Sequence, residues 1–319
     1  MYRMKSPITR KVIFTILTVS IFIFSCKTEV TTDVSIHQPN KELIKHTVDS
    51  DGHPMAVWVK GKKDSKGIIL FVHGRTWSAV PDFDLQVEGE DLSLMDGMVA
   101  KGFTTYAIDL RGYGETPRDA TEWSTPNIAA KDIQNVLRWI SKQHNDKKVH
   151  LFGWSMGSTL SLLATQQNSD NIASLTLFGF WKDMDFQFPE SKKSPVLRKT
   201  VNTAKSAASD FIVPGSISEK AVATYVKMAL ESDPIKVDWK NANEYNSLDP
   251  SLITIPTLII QGELDPIAPT AVQAKLFTRL KTADKSWVVI SGGDHAAFME
   301  TPRKHFISTF DAFINRFNQ

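Results

Sequence analysis

Gly153-Trp154-Ser155-Met156-Gly157 sets a serine between two glycines. This is the G-x-S-x-G spacing of a nucleophile elbow, in which a sharp strand-to-helix turn presents the hydroxyl at the end of a strand. The flanks suit that turn: Lys147 to Phe152 reads as a strand, and Met156 to Gln167 as a helix with Leu160, Leu163 and Ala164 on one stripe. A serine hydroxyl is a weak nucleophile at neutral pH and needs a histidine base, itself oriented by a carboxylate. Where an elbow carries the serine, the acid and then the histidine follow it in the chain. Of the eight histidines, only His295 and His305 lie after Ser155. His295 sits in the small-residue loop Ser291-Gly292-Gly293-Asp294-His295-Ala296-Ala297, whereas His305 falls on the last helix, where a surface role suffices. Asp265, in Gly262-Glu263-Leu264-Asp265-Pro266, leaves a strand and turns at the proline, which makes it the expected acid. Glu263 is the nearest substitute. Asp294 is disfavoured because neighbours in an extended loop point to opposite sides.

Attack on a carbonyl also needs donors for the developing oxyanion, usually backbone N–H groups. One is expected from Met156, the residue after the serine. The other is expected from Arg75 in Val72-His73-Gly74-Arg75-Thr76-Trp77, where Gly74 permits a tight bend and His73 packs the loop. The Arg75 side chain is expected to pair with Asp82 or Asp84, with contact to a substrate carboxylate as the alternative. Asp109 precedes the serine and is expected to brace a loop through Arg111.

The elements that must position these groups alternate short apolar runs with amphipathic stretches, the pattern of βαβ units and a mostly parallel sheet. Eight strands are predicted, at Ile44 to Val48, Met55 to Val59, Gly67 to Val72, Thr104 to Ile108, Val149 to Phe152, Ser174 to Phe178, Thr257 to Gln261 and Trp287 to Ile290. Asp49 to Pro54 is turn-rich and makes the first two an antiparallel pair. Helices are predicted at 90–101, 127–143, 156–167, 270–280 and 302–317. Residues 181–250 break the rhythm, and an insertion of that length is usually functional. The expected organisation is a core of 43–180 and 251–319 around a 181–250 cap.

Composition excludes other classes. With 42% hydrophobic and 23% charged residues, the 319-residue chain matches an ordinary globular protein. Its 37 basic and 35 acidic residues form no basic stripe, so nucleic acid is not an expected partner. The single cysteine, Cys26, rules out an intrachain disulfide or a cysteine-based zinc cluster. Residues 1–11 hold Arg3, Lys5, Arg10 and Lys11 with no acid, and Val12 to Phe24 is a 13-residue apolar run. As a helix that run rises only about 20 Å, short of the roughly 30 Å hydrocarbon layer, so residues 1–25 read as a signal peptide. Ile23-Phe24-Ser25-Cys26 resembles a bacterial lipoprotein processing site, which implies lipidation of Cys26. Residues 26–42 are then a tether. Losing the four leader cations takes the net charge from +2 to −2. The expected localisation is the cell envelope, anchored to a membrane through Cys26, with a secreted or periplasmic protein as the alternative.

With His73-Gly74, Asp109 to Gly114, the elbow at Ser155, the Gly262 to Asp265 turn and His295 in order, the chain resembles the α/β-hydrolase superfamily from about residue 43 to the end. The resemblance implies an eight-stranded, mostly parallel sheet with helices on both faces and a helical cap after the sixth strand. A serine nucleophile sets it apart from the haloalkane dehalogenases and epoxide hydrolases, which use Asp there. The leading expectation is a serine hydrolase of a small-molecule carboxylic ester, with Ser155, His295 and Asp265 as triad, Arg75 and Met156 as oxyanion donors, and no cofactor or metal. Two alternatives stand beside it. An amidase of the prolyl aminopeptidase type would need an acidic cluster such as Asp183, Asp185 and Glu190, and a non-catalytic binding module would be expected to lose a triad member.

Overall fold

A computed structural model describes residues 42–190 and 196–318. The expected signal peptide, Cys26 and all but the last residue of the expected tether lie outside the described residues. All eight predicted strands form: β1 (Ile44–Ser50), β2 (His53–Lys60), β3 (Ile68–Val72), β4 (Thr104–Ile108), β5 (Val149–Trp154), β6 (Ile172–Phe178), β7 (Thr257–Gly262) and β8 (Lys285–Ile290). They build one sheet in the order β1-β2-β4-β3-β5-β6-β7-β8, with β2 antiparallel to both neighbours and every other pairing parallel. The first hairpin is tighter than its turn-rich stretch predicts. Only Asp51 and Gly52 turn, at φ of 52° and 87°, which is the two-residue connection matching the twist of the strands.

The helices are α1 (Ala79–Phe83), α2 (Leu94–Ala100), α3 (Pro126–Gln143), α4 (Met156–Gln167), α5 (Ala204–Ala208), α6 (Glu219–Ser232), α7 (Thr270–Arg279) and α8 (Arg303–Ile314). The pleat sorts strand residues into two cores. Ile69 and Phe71 of β3 pack with Phe152, Phe178 and Ile260 under Phe306 and Phe310 of α8. On the other face, Ile68, Leu70 and Val72 pack with Leu151, Leu177 and Ile259 under Ile133 and Leu137 of α3 and Leu160 of α4. Helices therefore cover both faces, which is why the central strands are apolar throughout instead of alternating.

The strand order reverses at β3, whose neighbours are β4 on one side and β5 on the other. Connections leaving the carboxyl ends of β3 and β5 diverge there and open a crevice, the usual ligand position in an open α/β sheet. The 181–250 insertion crosses above this edge and shares both cores: Tyr225 and Ala229 of α6 join the α8 side, and Val237 and Tyr245 the α3 side. It is also tied on by a two-residue parallel pairing, Trp123–Ser124 with Asp238–Trp239, that no sequence pattern announces.

Candidate active site

Ser155 links β5 to α4 at φ 54° and ψ −120°, a conformation costly for a residue with a Cβ. The tertiary structure enforces it. A Cβ on Gly153 would lie 2.3 Å from the Gly157 carbonyl oxygen, and one on Gly157 would lie 2.2 Å from that of Val72. Neither position admits any side chain. The Ser155 N–H donates to the Phe178 carbonyl at 2.9 Å, and its own carbonyl accepts from Ser158 N–H at 3.0 Å, so the strained residue is pinned to β6 and to the first turn of α4.

His295 and Asp265 come from the loops after β8 and β7 and meet through a 2.8 Å contact between Nδ1 and Oδ2. Both are buried, at 4% exposure. The other oxygen, Asp265 Oδ1, accepts N–H groups of Ile267 and Ala268 at 2.8 and 3.1 Å. A carboxylate can only accept, so the imidazole proton sits on Nδ1 and Nε2 is left with its lone pair. Trp154 Nε1 donates to the His295 carbonyl at 2.6 Å and fixes the loop from the strand that ends at Ser155. Gly179, at the end of β6 with φ 62°, leaves room for the ring: a Cβ there would lie 2.8 Å from His295 Cε1. Sequence reasoning passed over Gly179, and its position directly after a strand was the available signal.

The loop after β3 brings Gly74 against Ser155; a Cβ on Gly74 would sit 3.5 Å from Ser155 Cβ. Several bonds hold this loop. His73 Nε2 accepts from Leu110 N–H at 3.1 Å and its Nδ1 faces the Gly74 carbonyl at 2.7 Å; burial lowers its pKa to about 4, so it packs as a neutral ring. Tyr113 donates its hydroxyl to the Arg75 carbonyl and accepts from Trp239 Nε1 at 2.9 Å. Buried Asp82 accepts from Gly74 N–H at 3.4 Å and from the Tyr225 hydroxyl of α6 at 2.9 Å. Burial, reinforced by the carboxylate of Asp210, pushes its pKa well above the usual range.

Residues 63–302 match the family described as serine aminopeptidase, S33. The chain belongs to this family. It is an α/β-fold serine hydrolase. Among solved structures, it resembles a serine hydrolase involved in carbazole degradation (17% identity, 86% of this chain and 100% of that one, TM-score 0.61). It also resembles the thioesterase domain from the curacin biosynthetic pathway (14%, 86% and 99%, TM-score 0.60) and a thermophilic esterase from Thermogutta terrifontis (17%, 87% and 100%, TM-score 0.57). At these identities the likeness is one of fold.

Two side-chain expectations fail in this S33 hydrolase. Asp109 does brace a loop, accepting from Ala79 N–H at 2.9 Å, Glu115 N–H at 3.1 Å and Trp58 Nε1 at 2.9 Å, but not through Arg111. Arg111 instead forks onto Asp132 of α3 at 2.7 and 2.9 Å. Nor does Arg75 pair with Asp82 or Asp84. Asp82 serves Gly74 and Tyr225, and Asp84 is taken by Lys60 at 2.6 Å and Ser93 at 2.7 Å. The exposed Arg75 guanidinium makes no salt bridge or hydrogen bond to any other described residue. Of the competing acids and bases, Glu263 is exposed and capped by Ser291 and Gly292, and His305 is exposed on α8. Asp294 turns from its neighbour to accept Ile212 and Val213 N–H groups of the insertion at 2.7 Å.

Ser155 and Met156 open onto a cavity of about 380 Å³ walled by Trp181, Phe188, Trp239 and Tyr245, with Arg75 and Lys240 also lining it. Its size and apolar lining with a few polar groups are those of a small-molecule site. No group of three or more His, Cys, Asp or Glu with metal-binding geometry occurs among the described residues.

Proposed function

We propose that this S33 hydrolase cleaves a carboxylic ester through an acyl-enzyme. The observation that carries the reading is the buried His295–Asp265 bond, which leaves Nε2 as the free acceptor at the sheet edge that also bears the strained Ser155. Ser155 Oγ attacks the carbonyl carbon and passes its proton to His295 Nε2, while Asp265 holds the tautomer and stabilises the imidazolium. The N–H groups of Arg75 and Met156 receive the oxyanion, Met156 with the partial positive charge of the α4 N-terminus behind it. The imidazolium then protonates the departing alkoxide. Water, activated by the same histidine, releases the acid and restores the serine. Every proton and electron pair is accounted for by these groups and the substrate, so the reaction calls for no cofactor or metal.

The family's description favours a second reading, cleavage of an amide next to a free amine. Such a substrate needs an anionic partner for its ammonium. Asp183 and Asp185 are already bound by Lys275 at 2.8 Å, Asp185 also by Arg279, and these bonds lower the pKa of Asp185 to about 2. The cavity itself presents cations, Arg75 and Lys240, which repel an ammonium. Ester cleavage is therefore the better fit. The cellular setting belongs to the same proposal: export and membrane anchoring through a lipidated Cys26, with a small-molecule ester as substrate and no nucleic-acid partner.

A chromogenic ester series assayed beside amino-acid arylamides separates the two readings. Hydrolysis of esters, with phosphonate labelling of Ser155 lost in Ser155→Ala, is the expected result. Faster turnover of arylamides, or labelling that survives Ser155→Ala, overturns the ester reading.

A further inference from the structure

Beside the aromatic cavity lies a second one of about 620 Å³, and the two share Arg75 and Trp239 as a common wall. The chemistry of the second is different. Arg75, Arg198 and Lys236 line it, with Asp238 as its acid. Asp238 offsets one of them, its Oδ2 also accepting the backbone N–H groups of Arg198 and Lys199 at 3.1 and 2.9 Å, so three cations against one carboxylate leave the lining net positive. Among the described residues the side chains of Arg75, Arg198 and Lys236 form no salt bridge. Cations elsewhere divide between paired ones, such as Lys199 with Glu122, Lys275 with Asp183 and Arg316 with Asp284, and ones that form no salt bridge among the described residues, so the feature of this site is the gathering of three unpaired cations in one concavity.

The three cations repel one another and outnumber the one carboxylate, and a low-dielectric wall such as Trp239 focuses the remaining positive field into the opening. An anion relieves that repulsion. The planar donors of two arginines also suit an oxyanion better than a halide, because they can meet two oxygens at once.

We propose that this second cavity is a subsite for an oxyanion, a carboxylate or a phosphate, carried by the substrate away from its ester. The inference rests on the ester reading for its substrate class: an amphiphilic ester whose apolar part fills the aromatic cavity at Ser155 and whose anionic group lies past Arg75 among Arg198 and Lys236. Arg75 sits at the junction, so its backbone faces the reacting carbonyl while its side chain points the anionic end outward.

Binding and turnover test it separately. Full-length protein carrying Ser155→Ala is titrated calorimetrically with n-octyl phosphate, n-octanoate and n-octanol. Both anions are expected to bind at least about 10-fold more tightly than the alcohol, with the advantage shrinking as salt is raised from 20 to 500 mM. The order of the two anions tells phosphate from carboxylate. Adding Arg198→Met or Lys236→Met is expected to cut the anion-to-alcohol ratio by about 3- to 10-fold each, the range between an exposed ion pair and a charge-assisted hydrogen bond, and Arg198→Glu is expected to cut it further. Equal binding of alcohol and anions, or a ratio indifferent to all three substitutions, overturns the subsite. In the turnover arm, wild-type kcat/KM is compared for a neutral p-nitrophenyl ester and its ω-carboxylate analogue. A higher value for the analogue supports the subsite. Hydrolysis of neither ester overturns the ester reading and leaves the binding arm to decide the subsite alone.

Discussion

Replacing Gly179 by alanine tests whether His295 is the working base, because one methyl group reaches the ring without replacing any of Ser155, Asp265 or His295. Its Cβ would lie 2.8 Å from Cε1 and 3.1 Å from Nδ1 of His295. Ordinary contact begins near 3.4 Å, so ring or strand end must yield by about 0.6 Å, and the Nδ1 side cannot move without stretching the 2.8 Å bond to Asp265. Misplacing a catalytic group by about 1 Å costs on the order of 100-fold, so a loss of roughly 10- to 100-fold in kcat/KM is expected. The left-handed backbone adds a separate stability cost of about 1–2 kcal/mol, or a Tm drop of roughly 2–8 °C. Gly215 supplies the control. It has φ 77° but nothing within 4 Å of its would-be Cβ, so Gly215→Ala bears the same backbone cost with no clash at His295. Both variants are assayed on one chromogenic ester and by thermal melting. A Tm loss in both variants, larger in Gly179→Ala by the cost of the contact, with activity lost only in Gly179→Ala is the expected pattern. Full activity in folded Gly179→Ala would falsify the placement of His295 at the reacting centre.

Other outcomes follow from the same geometry. In Asp265→Asn, Oδ1 must remain an oxygen to keep the N–H groups of Ile267 and Ala268. The new amide therefore donates to His295 Nδ1, moves the ring proton to Nε2 and lowers kcat by about 10⁴-fold with the melt little changed; a loss under 10-fold contradicts the tautomer argument. His295→Ala and Ser155→Ala are expected to cost about the same singly as together, and additive losses in kcat would contradict a single catalytic unit. Burial, with help from Asp294, lifts the Glu300 pKa from 4.5 to about 8. The unfolded chain releases that proton near 4.5 and the folded chain only near 8, so this group lowers stability progressively as pH rises through that window. Glu300→Gln is expected to raise Tm relative to wild type at pH 8.5 and to lose that advantage at pH 5, and a pH-independent difference rules the mechanism out. Intact mass of the purified protein is expected to show a chain starting at Cys26 with added acyl mass, and any other start refutes lipidation.

The strands, the turn at Ser155 and the loops that bring Asp265 to His295 were legible because they depend on local signals: apolar runs, a glycine-flanked serine, and turns placed directly after strands. What escaped depends on partners far away in the chain. Proximity pairs Arg111 with its near neighbour Asp109, but Asp132, nearly two helix turns into α3, offers a forked site. Asp82 and Asp84 were matched to Arg75 by proximity, yet Tyr225, 143 residues on, and Lys60 claim them. Nearness along the sequence is a poor guide for long charged side chains, which reach past their neighbours. Helix α1 was missed because five residues containing Pro81 carry no periodicity to read.

The bond from Tyr225 to Asp82 bears on how this enzyme can change its diet. A cap that merely rested on the sheet could be exchanged whole between relatives, as a lens is changed on a camera. Here the removal of α6 would strand a buried carboxyl directly beneath the loop that bears Gly74 and Arg75, and the removal of Asp238–Trp239 would release the Tyr113 hydroxyl from Trp239. Recombination that swaps the insertion thus damages the machinery it is meant to redirect. New specificities in this lineage are expected to arise by single substitutions on the cavity walls, with Tyr225, Asp82 and Trp239 carried along unchanged.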